Sequence, residues 1–323
     1  MIMRLLAILL AATAFGASSA AFGQPFPSKQ IQVVLSFPPG SATDLGTRIV
    51  AEKLRERLGQ PVVVENRPGA GAVLGETYIA KAPADGYFIA IGSSTSLAVA
   101  PNTRLKLEYD SRRDFTPLSL LCEVPQWIVA TPSLPAANLA ELAALVKSQP
   151  GKFSYASYGQ GTLSHLGMEL WKSMAGIEML HVPYKGGPQA HPDVISGRVP
   201  VLWDSVSSAL SAVRSGKLKA LAITGAERLA EVPDVPTVAE SGFPGYEITG
   251  FLVAIVPAAT PKPVADRLSA ELVQIMKMND VRARMTAGGL LPRGSTAEEA
   301  RARISAYLDK FALAVKIAGY QPE

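Results

Sequence analysis

The sequence predicts an α/β protein of two lobes joined by two crossing strands, with a ligand cleft between the lobes. Three observations carry that expectation. Apolar, β-branched runs are followed repeatedly by a Gly-, Ser- or Thr-rich turn and then a helical pattern, the order that builds parallel strands. The theme restarts midway along the chain. Two long apolar runs, near 118–130 and 246–257, read as strands passing from one half to the other.

The elements follow in order. Met1 to Arg4 is a short basic start, Leu5 to Gly16 an apolar run, and small residues follow in "ASSAAFGQ". That is the layout of a cleavable secretory signal peptide, with an apolar stretch too short to span a bilayer, and 1–23 is assigned to it. "IQVVLSF" (31–37) reads as a buried strand ending at Pro38-Pro39-Gly40. From Thr43 the apolar residues Leu45, Ile49, Leu54 and Leu58 recur at helical spacing, with Gly59 as terminator. "PVVVEN" is a second strand, "RPGAGAVLGETYIAKA" a Gly-rich turn into a helix, and "GYFIAIGSS" (86–94) a third strand. After the first long apolar run comes a helix in "LPAANLAELAALVKSQPGK". Then come a strand, turn and helix in "FSYASYGQGTLSHLGMELWKSMAG", and the same scheme in "IEMLHVPYKGGPQAHPDVISG" and "RVPVLWDSVSSALSAVRSG". "LKALAITG" is a further strand, and amphipathic helix dominates from Pro263 to about Gly319. These segments divide into lobe 1 at 24–124, lobe 2 at 125–249, and a return to lobe 1 at 250–323. A ligand in such a fold sits between the lobes, at the carboxyl ends of the parallel strands.

Composition narrows the function. Hydrophobic residues make up 48% and charged ones 18%, enough for a sizeable core and against disorder. The net charge of +4 falls by one when Arg4 leaves with the leader; it is too mild and scattered for nucleic acid, though it favours small anions. Cys122 is the single cysteine, so no internal disulfide forms. Its leucine neighbours suggest a buried, inert strand position.

Chemistry-bearing motifs are incomplete. "GAGAVLG" (69–75) has its last gap one residue too long for a dinucleotide fingerprint, and no G-x-x-x-x-G-K-[ST] occurs. Ser164 adjoins His165, but neighbours on a helix project about 100° apart, and there is no G-x-S-x-G elbow. His165, His181 and His191 lack metal-ligand spacing, and packing or surface roles are the default for His181 and His191. No cofactor and no metal is expected. What remains is a set of strand-terminal loops, "PPGSATD", "GSSTS", "YGQGTLS" and "YKGGP", each at or near a helix N-terminus. Such loops offer backbone N–H groups, hydroxyls and a positive dipole end to a carboxylate or phosphate. Ser41 or Thr43 fits a plain N-cap equally well. No Arg or Lys lies inside the first three loops, so an anion there is held by neutral donors and water.

Several stretches together resemble the Bug solute-binding proteins of tripartite tricarboxylate transporters: "FPSKQIQVVLSFPPGSATD", "PVVVENRPGAGAVLG", "APADGYFIAIGSSTS", "YASYGQGTLSHL", "HVPYKG" and "DVPTVAESGFPGYE". The resemblance spans essentially the whole mature chain in the same order. It implies a type II periplasmic binding protein fold that closes around a small di- or tricarboxylic, amino or aromatic acid. It also implies a monomeric, non-enzymatic periplasmic receptor whose partners are the transporter's membrane subunits. Carried over by position, the first-lobe grip falls on Phe37, Gly40, Ser41, Ala42, Thr43 and Asp44, helped by Ser93 and Ser94. The second-lobe grip falls on Tyr158, Gly161, Thr162, Ser164 and His165. Asp204 in "LWDSV" matches an acidic residue facing the family's cleft, with Ser205 beside it.

The chain departs from the family in places. Ser41 replaces the family's second glycine, which disfavours positive φ but adds a hydroxyl. Tyr158 and Trp203 are candidates to stack on an aromatic ligand, with Trp203 alternatively a core strand residue. Two rival functions stand beside the receptor: an exported esterase using Ser164 or Ser94, and a sensory partner protein without a transport role.

Overall fold

The computed structural model describes residues 26–69, 72–317 and 319–322, so the leader assigned to 1–23 lies outside the described residues. The chain begins with β1 (Ile31–Leu35), α1 (Ala42–Leu58), β2 (Val62–Asn66), α2 (Leu74–Ala80) and β3 (Phe88–Ser93). A π-helical turn at Thr95–Val99 runs into α3 (Ala100–Thr103), and β4 (Phe115–Val124) and β5 (Gln126–Ala130) follow. Next are α4 (Leu139–Ser148), β6 (Ser154–Ser157), α5 (Leu163–Ala175), β7 (Leu180–Pro183) and α6 (Gly187–Ile195). Then come β8 (Val201–Ser205), α7 (Val206–Arg214), β9 (Lys219–Ile223) and β10 (Gly250–Pro257). The chain closes with α8 (Lys262–Lys277), α9 (Asn279–Ala287), β11 (Leu291–Pro292) and α10 (Ala297–Ile317).

Two sheets organise these elements. One runs β11-β4-β10-β3-β1-β2 and the other β7-β6-β8-β5-β9. The strand–turn–helix units pair in parallel as expected: β1 with β2 and β3, and β6 with β7 and β8. The strands from the long apolar runs do not. β4 and β10 pair antiparallel with each other, and β5 pairs antiparallel with β8 and β9.

The first apolar run is two strands rather than one. Pro125, between Val124 and Gln126, has no N–H to give a ladder, so β4 ends in the first sheet and β5 begins in the second. The return passage is at Gly250, which pairs with Val124, so both crossings lie side by side.

Local sequence explains the helices that present the loops. Ser41 caps α1 by accepting the Asp44 N–H at 3.2 Å, and Gly59 ends it in the left-handed region. The buried face of α1 carries Ile49, Val50, Leu54 and Leu58, packed on Ile31, Val33 and Leu35 of β1. Each such side chain contributes about 1.5–3 kcal/mol on burial. Cys122 is fully buried in β4, where burial pushes its thiol pKa up and keeps it an unreactive thiol. α10 lies across β4 and the 95–103 segment and reaches α5 of the other lobe, where Ser173 Oγ donates to Ile317 O at 3.3 Å.

Candidate functional site

The first loop is built around an inward-turned acid. Gly40 takes φ +80°, a conformation glycine adopts without strain, and its N–H donates to Asp44 Oδ2 at 3.0 Å. Ser41 itself is extended at φ −73°, so its side chain brings no strain and serves as the α1 N-cap. Asp44 is 5% exposed and receives Arg48 Nε at 2.9 Å and Asn66 Nδ2 at 2.9 Å. Burial works to raise its pKa, but the hydrogen bonds from Arg48, Asn66 and Gly40 prevail and hold the carboxyl below its ordinary range. Asn66 Nδ2 also donates to Phe37 O at 3.0 Å. Asp44 therefore shapes the loop from within. Arg48, one turn into α1, is the cation paired with Asp44, and its Nη2 also donates to Asn66 Oδ1 at 3.0 Å.

The neighbouring wall comes from the end of β3. Ser93 and Ser94 are 5% and 2% exposed, and Ser96 bonds Ser93 through both its backbone and its hydroxyl. The "GSSTS" stretch is thus the entrance to a helical segment, not an open loop.

The second-lobe loop is held by short local bonds. Ser164 Oγ accepts the Tyr158 N–H at 2.9 Å and lies 3.0 Å from Thr162 Oγ1, which donates to Gly159 O at 2.7 Å. Gly161, at φ +65°, gives its N–H to His165 Nδ1 at 3.1 Å. Ser164 and His165 consequently face different partners. Ser157 does meet a histidine, with Oγ 2.6 Å from His181 Nε2, but Ser157 is fully buried. His181 stacks between Tyr155 and His165; burial, then the charges of His165 and Lys172, lower its pKa to about 3.

Asp204 does not stand open on the cleft. It is 0% exposed, and both oxygens are engaged: Oδ1 accepts the Tyr158 hydroxyl and the Ser205 N–H (2.8 Å), and Oδ2 is 2.6 Å from His191 Nε2. The Tyr158 hydroxyl in turn accepts the Ser205 N–H at 3.0 Å. Burial, and then Asp204, push the phenol pKa well above its usual value. Trp203 is 0% exposed with its indole N–H donating to Gln126 Oε1 at 3.3 Å, so it belongs to the core and does not stack on a ligand. Ser205 caps α7 by accepting the Ser208 N–H at 3.3 Å.

Of these loops, the Gly40–Ala42 turn and the start of α7 share one space, which neither Ser93 and Ser94 nor the 158–165 loop lines. A cavity of about 140 Å³ is lined by Gly40, Ser41, Ala42 and Leu45 on one side and by Ser207, Ser208 and Leu210 on the other, with Ala287 and Gly288 closing it. The N-terminal ends of α1 and α7 therefore face one space, and the Tyr158–Ser205 bond brings the start of α5 beside them. Across the lobes, Leu163 N–H reaches Thr95 Oγ1 at 3.4 Å and Thr103 Oγ1 donates to Gly161 O at 3.3 Å. Sequence reading missed His191, Ser207, Ser208 and the α9 residues. For His191 no local pattern announces Asp204 as its partner, whereas the "SVSS" after Asp204 repeats the hydroxyl-rich signature of the other loops.

Comparison with known proteins places this architecture. Residues 47–314 match the model of the tripartite tricarboxylate transporter family receptor. BugT of Bordetella pertussis is 33% identical over 319 residues, 98% of each chain. The solved structure of R. palustris Rpa4515 with adipate has a TM-score of 0.87 at 30% identity, covering 92% of this chain and 100% of that one. MatC from Rhodopseudomonas palustris with bound malate has a TM-score of 0.83 at 31% identity, covering 90% and 100%. On the extent of that match and its agreement with the two-lobed fold, the chain belongs to the tripartite tricarboxylate transporter receptor family.

Proposed function

We propose that the chain is a periplasmic solute-binding receptor. It takes one small carboxylate into the inter-lobe cleft and presents it to the membrane subunits of a tripartite tricarboxylate transporter. It acts as a monomer, closes its lobes about the ligand and catalyses no reaction. One observation carries this reading above the others. Ser41, Ser207 and Ser208 at the N-termini of α1 and α7 are the polar groups of a cavity otherwise lined by glycine and apolar side chains, while the two nearby acids, Asp44 and Asp204, are engaged by internal partners. Such a space favours an anion held by neutral donors. Adipate with Rpa4515 and malate with MatC, the small acids of similar proteins, support the ligand class.

In this reading Phe37, Gly40, Ser41, Ala42, Thr43, Ser93 and Ser94 form one jaw, and Tyr158, Gly161, Thr162, Ser164, His165 and Ser205 the other. Asp44 and Asp204 hold the jaws in shape. A thermal-shift panel of mono-, di- and tricarboxylates tests it: ligand at 100 times Kd should add about 2.7 kcal/mol of stability. Asp44→Ala and Thr162→Ala should weaken binding at least fivefold while the proteins stay folded, and unchanged affinity in both removes the assignment. A serine-directed fluorophosphonate should leave the protein unlabelled, because Ser164 Oγ is engaged by Tyr158 and Thr162 and Ser94 is buried. Stoichiometric labelling would make the protein a hydrolase.

A further inference from the structure

An acid that the binding reading does not use lies beneath the first-lobe wall. Glu76, on α2, is 1% exposed. Its two oxygens accept two hydroxyls, Ser36 Oγ at 2.5 Å and Ser96 Oγ at 2.6 Å. Each hydroxyl also receives a backbone N–H: Gly75 N at 2.7 Å on Ser36, and Ser93 N at 2.9 Å on Ser96. A hydroxyl has a single proton, so with a lone pair occupied by an N–H it gives that proton to the carboxylate. Ser36 follows β1 and immediately precedes Phe37, and Ser93 and Ser96 bracket the end of β3. One carboxyl group therefore ties together the two strand exits from which the first-lobe wall springs.

Among the described residues no counter-ion contacts it. β1 and the end of β3 contribute serines, and β10, packed against α2, is apolar. The segment before β4 contributes Tyr109, whose hydroxyl donates to Ser96 O, and behind it Arg104, whose charge acts on Tyr109. Burial raises the Glu76 carboxyl to about 7, against the lowering pull of the Ser36 and Ser96 hydrogen bonds.

We propose that Glu76 is the positioning residue of the first-lobe wall, and that it takes up a proton when an anionic ligand enters the cleft. This rests on reading the cleft as a carboxylate site. A second negative charge arriving across a low-dielectric wall raises the proton affinity of an acid that, among the described residues, has no cation in contact. By reciprocity, the ligand binds more tightly where Glu76 is already neutral.

Isothermal titration with malate and with adipate at pH 7, each in phosphate and in Tris, counts the protons taken up from the difference in buffer ionisation heat. Wild-type protein should take up a fraction of one proton. Its affinity should fall about five- to tenfold between pH 6 and pH 8, the size of a coupling of typical strength. Glu76→Gln holds the neutral form permanently, so its proton count should drop to zero and its affinity become flat with pH. Should that variant not fold, the wild type decides alone: uptake must be greatest near pH 7 and shrink towards pH 9. Binding without proton uptake, or undiminished uptake in Glu76→Gln, overturns the proposal and leaves the receptor reading standing. Absence of binding by either acid removes this proposal, and the thermal-shift panel then decides the carboxylate reading separately.

Discussion

The bond between Tyr158 and Asp204 can be tested as a coupled pair. A buried hydrogen bond to a charged group contributes about 1.5–3 kcal/mol. Tyr158→Phe deletes one such bond and orphans nothing, because the Ser205 N–H keeps Asp204 Oδ1 at 2.8 Å and Oδ2 keeps His191 at 2.6 Å. The single loss should therefore be about 2 kcal/mol. Asp204→Asn preserves the shape but exchanges the charged acceptor for an amide, and should lose about as much through both the phenol and His191. Since both changes act on one contact, the double variant should be more stable than the sum of the two losses implies, by about 1 kcal/mol or more. Urea denaturation of the four proteins at pH 7 measures each term. A coupling within about 0.5 kcal/mol of zero refutes the view that Asp204 anchors Tyr158, since that is the additivity expected of independent sites.

Two further outcomes follow from the same neighbourhood. A Cβ at Gly167 would stand 2.3 Å and 2.5 Å from Cη2 and Cζ3 of the fully buried Trp203 ring. Gly167→Ala should therefore destabilise by about 2 kcal/mol despite the helix preference of about 1 kcal/mol for alanine, and a neutral result by urea denaturation would contradict the packing. His181 titrates near 3 when folded, against about 6.5 unfolded. Its neutral form thus contributes stability that is present above about 6.5 and is lost as pH falls towards 3. In His181→Phe, which keeps the stack with Tyr155 and His165, the fall in Tm between pH 7 and pH 4 should be smaller than in wild type; an equal fall would show that His181 does not titrate in this range.

Patterns along the chain announced the elements, because strand and helix periods are local properties. The α1 pattern from Leu45 to Leu58, with Gly59 after it, needed no partner to be read. The rest depended on residues far apart in sequence. Tyr158 meets Asp204 across 46 positions, and Glu76 meets Ser36 across 40. Neither pair has a spacing that local geometry requires, so an acid shared by distant hydroxyls looks in sequence like any helix-surface glutamate. The same limit applies to Asp204: position in a motif suggested a cleft-facing acid, whereas its neighbours close around it. Trp203 could be placed only when the Gly167 surface beneath it was seen. Pro125 was visible as a residue, but its effect, a change of sheet, required knowing what each flanking strand pairs with.

The side-by-side crossings at Val124 and Gly250 have a mechanical meaning. Two strands joined by ladder hydrogen bonds form a flat strap, which flexes readily out of its own plane and resists shear within it. The Gly250–Val124 pair closes the β4–β10 ladder where both strands leave the first sheet, and a Cβ on Gly250 would press on Val124 O at 3.0 Å. In the proposed receptor the strap should bend as the lobes close while the Gly250–Val124 register holds, so that a membrane partner would need to sense only an angle.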